Sequence, residues 1–85
     1  MLLSLTELFC SNNKLKEIPV LPLLTQLYCS DNKLKEIRDL PLLNYLDCSD
    51  NPLELIINLP NLETIVSNKN DIRFVNANLR NVKKL

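Results

Sequence analysis

Apolar residues along this chain fall into columns. Taking leucine as the anchor, Leu5, Leu24, Leu43 and Leu62 stand 19 residues apart without a slip. Three residues after each come Leu8, Leu27, Leu46 and Ile65; then Cys10, Cys29, Cys48 and Ser67; then Asn13, Asn32, Asn51 and Asn70. Leu15, Leu34, Leu53 and Ile72 follow, and Ile18, Ile37, Ile56 and Val75 come three residues later. The first three units end in Leu21-Pro22, Leu40-Pro41 and Leu59-Pro60. A period of this length marks a stacked repeat, in which each unit buries its apolar face only against its neighbours. Within a unit the fourth and sixth positions alternate with their neighbours, as a short strand with one buried face requires. Four such strands in register predict a parallel sheet.

The rest of each unit is short. Eight residues separate Leu15 from Leu24, and Pro19, Pro22, Pro41 and Pro60 fall in these return segments. They are too few, and too rich in proline, for a helix with its connections. The return side is expected to be extended or polyproline-like, with a 3₁₀ turn at most and little or no α-helix. An amphipathic helix or coiled coil competes with this reading, because Leu5 and Leu8 would share a helical face. The 19-residue period and the recurring prolines weigh against it.

From residue 5 to about residue 80 the framework resembles the leucine-rich repeat. The resemblance implies an α/β-class repeat solenoid, a leucine-rich repeat horseshoe with a parallel β-sheet on its concave face. The length allows one domain, over residues 1–85. The repeats fall at about 5–23, 24–42, 43–61 and 62–80, with a partial or capping turn at 81–85. The tail, Ile18-Pro19 followed by Leu21-Pro22, looks like that of the short repeats in bacterial effector proteins. The Cys-Ser-Asn/Asp-Asn run is similar to repeats of bacteria and of large DNA viruses of protists. Modules of this kind commonly act as adaptor or substrate-recognition parts of larger proteins, including ubiquitin-ligase-type effectors. Only the recognition half of such an effector could lie here.

Composition mostly removes chemistry. The 85 residues hold 20 leucines and 12 asparagines but no glycine, histidine or tryptophan. Without glycine there is no phosphate-cradling loop, and without histidine no imidazole base or mixed zinc site. Ten basic and ten acidic residues balance, and Arg38, Arg73 and Arg80 occupy different repeat positions. Neither nucleic acid nor an anionic membrane is therefore an expected partner. Three cysteines, none in a CxxC, argue against a disulfide scaffold or a thiolate metal site. In-register strands hold neighbouring Cβ atoms near about 4.8 Å, farther than the roughly 3.8 Å of a disulfide, so buried free thiols are expected. Met1 to Leu8 lacks a basic segment and Glu7 interrupts it, so it reads poorly as a signal peptide. A soluble cytoplasmic protein, in its source cell or a host cell, with no cofactor and no metal, is the expectation.

Two ladders read as structural. The asparagine column should satisfy backbone groups that a sharp turn leaves unpaired. Ser11, Ser30 and Ser49, beside Asn12, Asp31 and Asp50, have no base aligned with them and read as turn formers. Asp47 and Asp50 lack the surrounding insertion that glycosidase chemistry would need. Lys14 and Lys33, Lys16 and Lys35, and Glu17 and Glu36 form neighbouring columns expected to screen one another as a solvated flank.

Binding is placed on the sheet. Strand alternation turns Glu7, Gln26, Tyr45 and Thr64, and Phe9, Tyr28, Asp47 and Val66, toward the concave surface. Three of the four aromatics thus stand on one exposed face, where they suit protein contact. Covering the sheet is their plain structural alternative. Asp31, Asp47 and Asp50 add an acidic rim. A second patch is read from Leu55, Ile57 and Phe74, where a column that begins as Glu17 and Glu36 becomes apolar. No polar cap is evident at the N-terminus beyond Met1-Leu2-Leu3, and Leu79, Val82 and Leu85 begin another apolar pattern, read either as a degenerate capping turn or as the start of a longer array. The expected function is a non-catalytic protein–protein interaction module binding a partner on the concave face. The alternative is a self-assembling structural repeat that forms homo-oligomers through its ends and the Leu55, Ile57 and Phe74 patch.

Overall fold

A computed structural model describes residues 4–69 and 71–77, and the backbone of 83–84. The short alternating segments become strands β1 (Glu7–Phe9), β2 (Gln26–Tyr28), β4 (Tyr45–Asp47), β6 (Thr64–Val66) and β8 (Lys83–Lys84). They form one sheet in the order β1-β2-β4-β6-β8, every pair parallel. Register follows the repeat: Leu8 lies beside Leu27, Leu27 beside Leu46, and Leu46 beside Ile65. Lys83 and Lys84 continue the same frame against Thr64 and Ile65. The solenoid predicted from the leucine columns is therefore present, with no α-helix among the described residues.

The return side is more ordered than an extended or polyproline-like path. Strands β3 (Glu36–Arg38), β5 (Leu55–Leu59) and β7 (Arg73–Ala77) form a second parallel sheet, in the order β3-β5-β7. Each alternates as a strand must: Ile37 and Ile56 are buried between partners that are not. The first unit contributes no strand here. Its residue in the Arg38 column is Pro19, which has no N–H to offer a ladder and is tolerated only at an edge.

One register departs from the 19-residue spacing. Strand β5 meets β7 with Leu55 beside Arg73, Ile56 beside Phe74 and Ile57 beside Val75, an offset of 18. Phe74, not Val75, thereby takes the inward place in line with Ile37 and Ile56, and it packs against the core.

The core lies between the two sheets. Leu24, Leu27, Leu34, Leu40, Leu43, Leu46, Ile56, Leu59 and Ile65 are fully buried, joined by Cys29 and Cys48. In the first unit Leu5, Leu8, Cys10, Leu15 and Ile18 are only partly buried. Met1, Leu2 and Leu3 lie outside the described residues, as do Asn70, Leu79, Arg80, Val82 and Leu85.

With no glycine in the chain, the tight corners fall to asparagine and aspartate. Asn12, Asp31 and Asp50 take φ of 61°, 55° and 57° just after strands of the five-stranded sheet. Asp39, Asn58 and Asn76 take 60°, 59° and 54° on the second sheet. Their short polar side chains tolerate the left-handed region best among residues with a Cβ. The second set is also tied together: Asn58 Nδ2 donates to Asp39 Oδ1 at 2.7 Å, and Asn76 Nδ2 to Asn58 Oδ1 at 2.7 Å.

Between the corners runs the asparagine ladder. Asn32 Nδ2 donates to the carbonyls of Cys29 (2.9 Å), Cys10 (3.1 Å) and Ser30 (3.2 Å), and its Oδ1 accepts from Leu15 N at 3.1 Å. Asn51 repeats this one unit later, on Cys29, Cys48 and Ser49, and accepts from Leu34 N. Each amide thus ties its own turn to the preceding unit.

Candidate interaction surfaces

Because Leu8, Leu27, Leu46 and Ile65 point into the core, their strand neighbours must face out. Phe9 is 70% exposed, while Tyr28 and Tyr45 are half-buried. The register sets Phe9 directly beside Tyr28, and the rings stack with centroids 4.6 Å apart and planes 2° from parallel. Tyr45 reaches Tyr28 diagonally, at 5.3 Å and 38°. The three aromatics are one continuous rail across β1, β2 and β4. The Tyr28 hydroxyl donates to Gln26 Oε1 at 2.8 Å, which orients both side chains. Glu7 stands exposed at the β1 end of this face.

Asp47 sits beside the rail but is engaged locally. Its Oδ1 accepts from Ser49 Oγ at 2.9 Å and from Ser49 N at 3.3 Å. Ser30 Oγ likewise donates to Ser11 Oγ at 3.1 Å, and Ser11 Oγ to the Tyr28 carbonyl at 3.2 Å. Ser49 thus bonds within its own turn, as expected of a turn former, whereas Ser11 and Ser30 link neighbouring units. Asp50 pairs with Asn68, which donates to it at 2.8 Å.

Two exposed leucines were not singled out in the sequence. Leu23 and Leu42, 44% and 42% exposed, occupy one column in the loops entering β2 and β4. Their signal was a leucine after the proline in two successive units, where the third has Asn61.

The Leu55, Ile57 and Phe74 patch does not assemble as read from a strict 19-residue spacing. Leu55 and Ile57 do flank the buried Ile56 and are half-buried. Phe74 has moved inward by the register change and lines up with Ile56 instead. Val75 takes the outward place and is 41% exposed.

The cysteine column is free, as its spacing suggested: Cys29 and Cys48 are buried and Cys10 is half-buried. Burial raises all three thiols above the ordinary 9.0, and Asp47 adds to the rise at Cys48, which is pushed up to about 12. Cys29 is raised further, by burial first and then by its neighbours. Only Cys10 should therefore label rapidly with a thiol reagent under native conditions, which mass spectrometry of the alkylated protein would read. The sign of the linkage follows. The fold favours the neutral thiols, so their contribution is complete below pH 9 and is lost as pH climbs toward 12. A variant with alanine at Cys29 and Cys48 should lose less stability across that window than the parent chain, measured by urea midpoints.

Among the described residues there is no group of three or more histidine, cysteine, aspartate or glutamate side chains placed to hold a metal ion. No helix there is long and apolar enough to cross a membrane.

Parallel strands returning every 19 residues, an asparagine ladder tying each turn to the next and an exposed aromatic rail on the five-stranded sheet define a repeat solenoid. Residues 3–42 match the family model of Leucine Rich repeats (2 copies). The frame of that match continues in register through β4 and β6, which supports a leucine-rich repeat protein. Domains of this family generally serve as protein–protein interaction modules and are typically non-catalytic. Neither the curated proteins nor the solved structures give a match.

Proposed function

We propose that the concave sheet face binds a partner protein, with Phe9, Tyr28 and Tyr45 as its anchors and Glu7, Gln26 and Asp47 as the polar surround. The observation behind this reading is the aromatic rail itself. A phenylalanine left 70% exposed, stacked on a tyrosine rather than turned into the core, offers a large apolar area at fixed geometry. Such rigid aromatics lose little entropy on contact and are enriched among residues that dominate binding energy. The chain acts as a non-catalytic recognition module, and the three free thiols suit a reducing, cytoplasmic setting.

The triple variant Phe9→Ala, Tyr28→Ala and Tyr45→Ala tests it. A partner captured by the parent chain should bind at least about tenfold more weakly, since anchor residues typically contribute more than about 1–2 kcal/mol each. The far-UV circular dichroism spectrum should stay unchanged. Undiminished capture by the folded variant would refute the concave-face assignment.

One observation favours a second reading, end-to-end self-association. The apolar ladder of the first unit, Leu5, Leu8, Cys10, Leu15 and Ile18, is only partly buried while the same columns in the next units are closed. Light scattering that shows one mass, that of a single chain, across a wide concentration range would exclude it.

A further inference from the structure

We propose that the flank between the two sheets is a second binding site, which takes an extended acidic segment of a partner protein. Leu34 and Leu53 turn fully inward and Leu15 partly so, which leaves the residues on either side of each facing out. Lys14, Lys16, Lys33, Lys35 and Arg73 thereby line one open groove of about 1180 Å³, with Glu36, Glu54, Pro52 and Leu55. The backbone fixes this arrangement. Lys33 N donates to the Leu15 carbonyl at 2.8 Å, Glu54 N to the Lys35 carbonyl at 2.8 Å, and Arg73 N to the Glu54 carbonyl at 3.0 Å.

Five cations therefore face two carboxylates. Glu36 lies 3.8 Å from Arg38, outside the groove lining, which leaves Glu54 as the carboxylate without an ion pair. Glu17, whose column should have screened the lysines, lies in a different depression with Ile18, Pro19, Val20, Arg38 and Asp39. Among the described residues none of the four lysines, nor Arg73, makes an ion pair. Lysines stacked at the same position of adjoining turns repel one another, and a bound anion relieves that repulsion. The chain as a whole is neutral, so this excess is local and directed.

The chemistry of the groove favours carboxylates on a peptide over a nucleic acid. No aromatic lines it to stack a base, and Glu36 and Glu54 interrupt what would have to be a continuous basic track. An extended peptide places alternate side chains about 6.6 Å apart, the spacing of outward positions two residues apart on an extended chain, as Lys14 and Lys16 are. Pro52 and Leu55 then offer an apolar seat for a residue between the acids.

The test uses a fluorescein-labelled peptide of alternating glutamate and leucine, titrated with the whole chain and followed by anisotropy. Binding should weaken steeply with added salt, and the double variant Lys14→Gln and Lys33→Gln should bind at least about tenfold more weakly with an unchanged circular dichroism spectrum. The Phe9, Tyr28 and Tyr45 triple variant should bind the peptide like the parent, which separates this site from the concave face. The proposal is overturned if the lysine variant binds equally well, or if a glutamine-for-glutamate peptide does. It is also overturned if single-stranded DNA of matched charge displaces the peptide more effectively than unlabelled peptide.

Discussion

Replacing Asn51 with alanine is expected to lower the melting temperature far more than replacing Asn13, although both stand in one column. Asn51 is 6% exposed, and its amide donates to the carbonyls of Cys29 at 3.0 Å, Cys48 at 3.1 Å and Ser49 at 3.1 Å. Its Oδ1 accepts from Leu34 N at 3.1 Å. Alanine removes both ends of this bracket and leaves the Leu34 N–H and the Cys48 carbonyl without their partner, while the Cys29 carbonyl keeps Asn32 and the Ser49 carbonyl keeps the Asp31 N–H. Each buried orphan costs about 1–3 kcal/mol, so a total near 3 kcal/mol is a low expectation. For a domain of this size that corresponds to a fall of roughly 12–24 °C. Asn13 is exposed and its amide bonds only within its own turn, to the Cys10 and Ser11 carbonyls. Its loss should cost about 1 kcal/mol or less. Thermal melts by circular dichroism compare the two directly, and equal shifts would show that the ladder does not tie unit to unit.

That contrast also shows what a repeat discloses and what it hides. The asparagine column was legible because a polar residue recurring at one offset inside an apolar frame has few uses other than satisfying a turn. The sheet was legible for the same reason, as was the outward placement of Phe9, Tyr28 and Tyr45, since alternation fixes faces without any knowledge of neighbours. The ring stack was not. It depends on the register that sets Phe9 beside Tyr28, and that is a property of paired strands.

The second sheet was half legible. Short proline-bearing segments were read as extended, and extended they are; whether they hydrogen-bond depends on how closely successive turns stack. Where Pro19 removes an N–H, pairing has not begun, and where Glu36, Ile37 and Arg38 meet Leu55, Ile56 and Ile57, it has. The lysine groove was hidden for a different reason. Columns were taken to screen whichever column lies next in sequence, yet of the Glu17 and Glu36 column only Glu36 lines the groove, and Glu17 lines a separate depression.

The sharpest disagreement between spacing and structure lies at Phe74, and it carries the second large effect. A strict 19-residue count puts Val75 in the core column and Phe74 outside, beside Leu55. The structure reverses them: Phe74 faces Ile56 and packs on the core, while Val75 is 41% exposed. Phe74→Glu must then lose an aromatic contact area and place a carboxylate against apolar neighbours, at a cost of about 2–4 kcal/mol. Val75→Glu changes an exposed strand residue and should stay within about 0.5 kcal/mol. The same pair under the uncorrected count would behave oppositely, with Val75→Glu unfolding the last turn and Phe74→Glu altering association alone. Urea unfolding of the two variants decides between the registers, because a midpoint that falls for Val75→Glu and holds for Phe74→Glu is incompatible with an 18-residue offset between β5 and β7. The outcome bears on function as well. With Phe74 held inward, the apolar surface on that side is Leu55 and Ile57 with Val75 beside Ile57, and any association through it would have to run over those three residues.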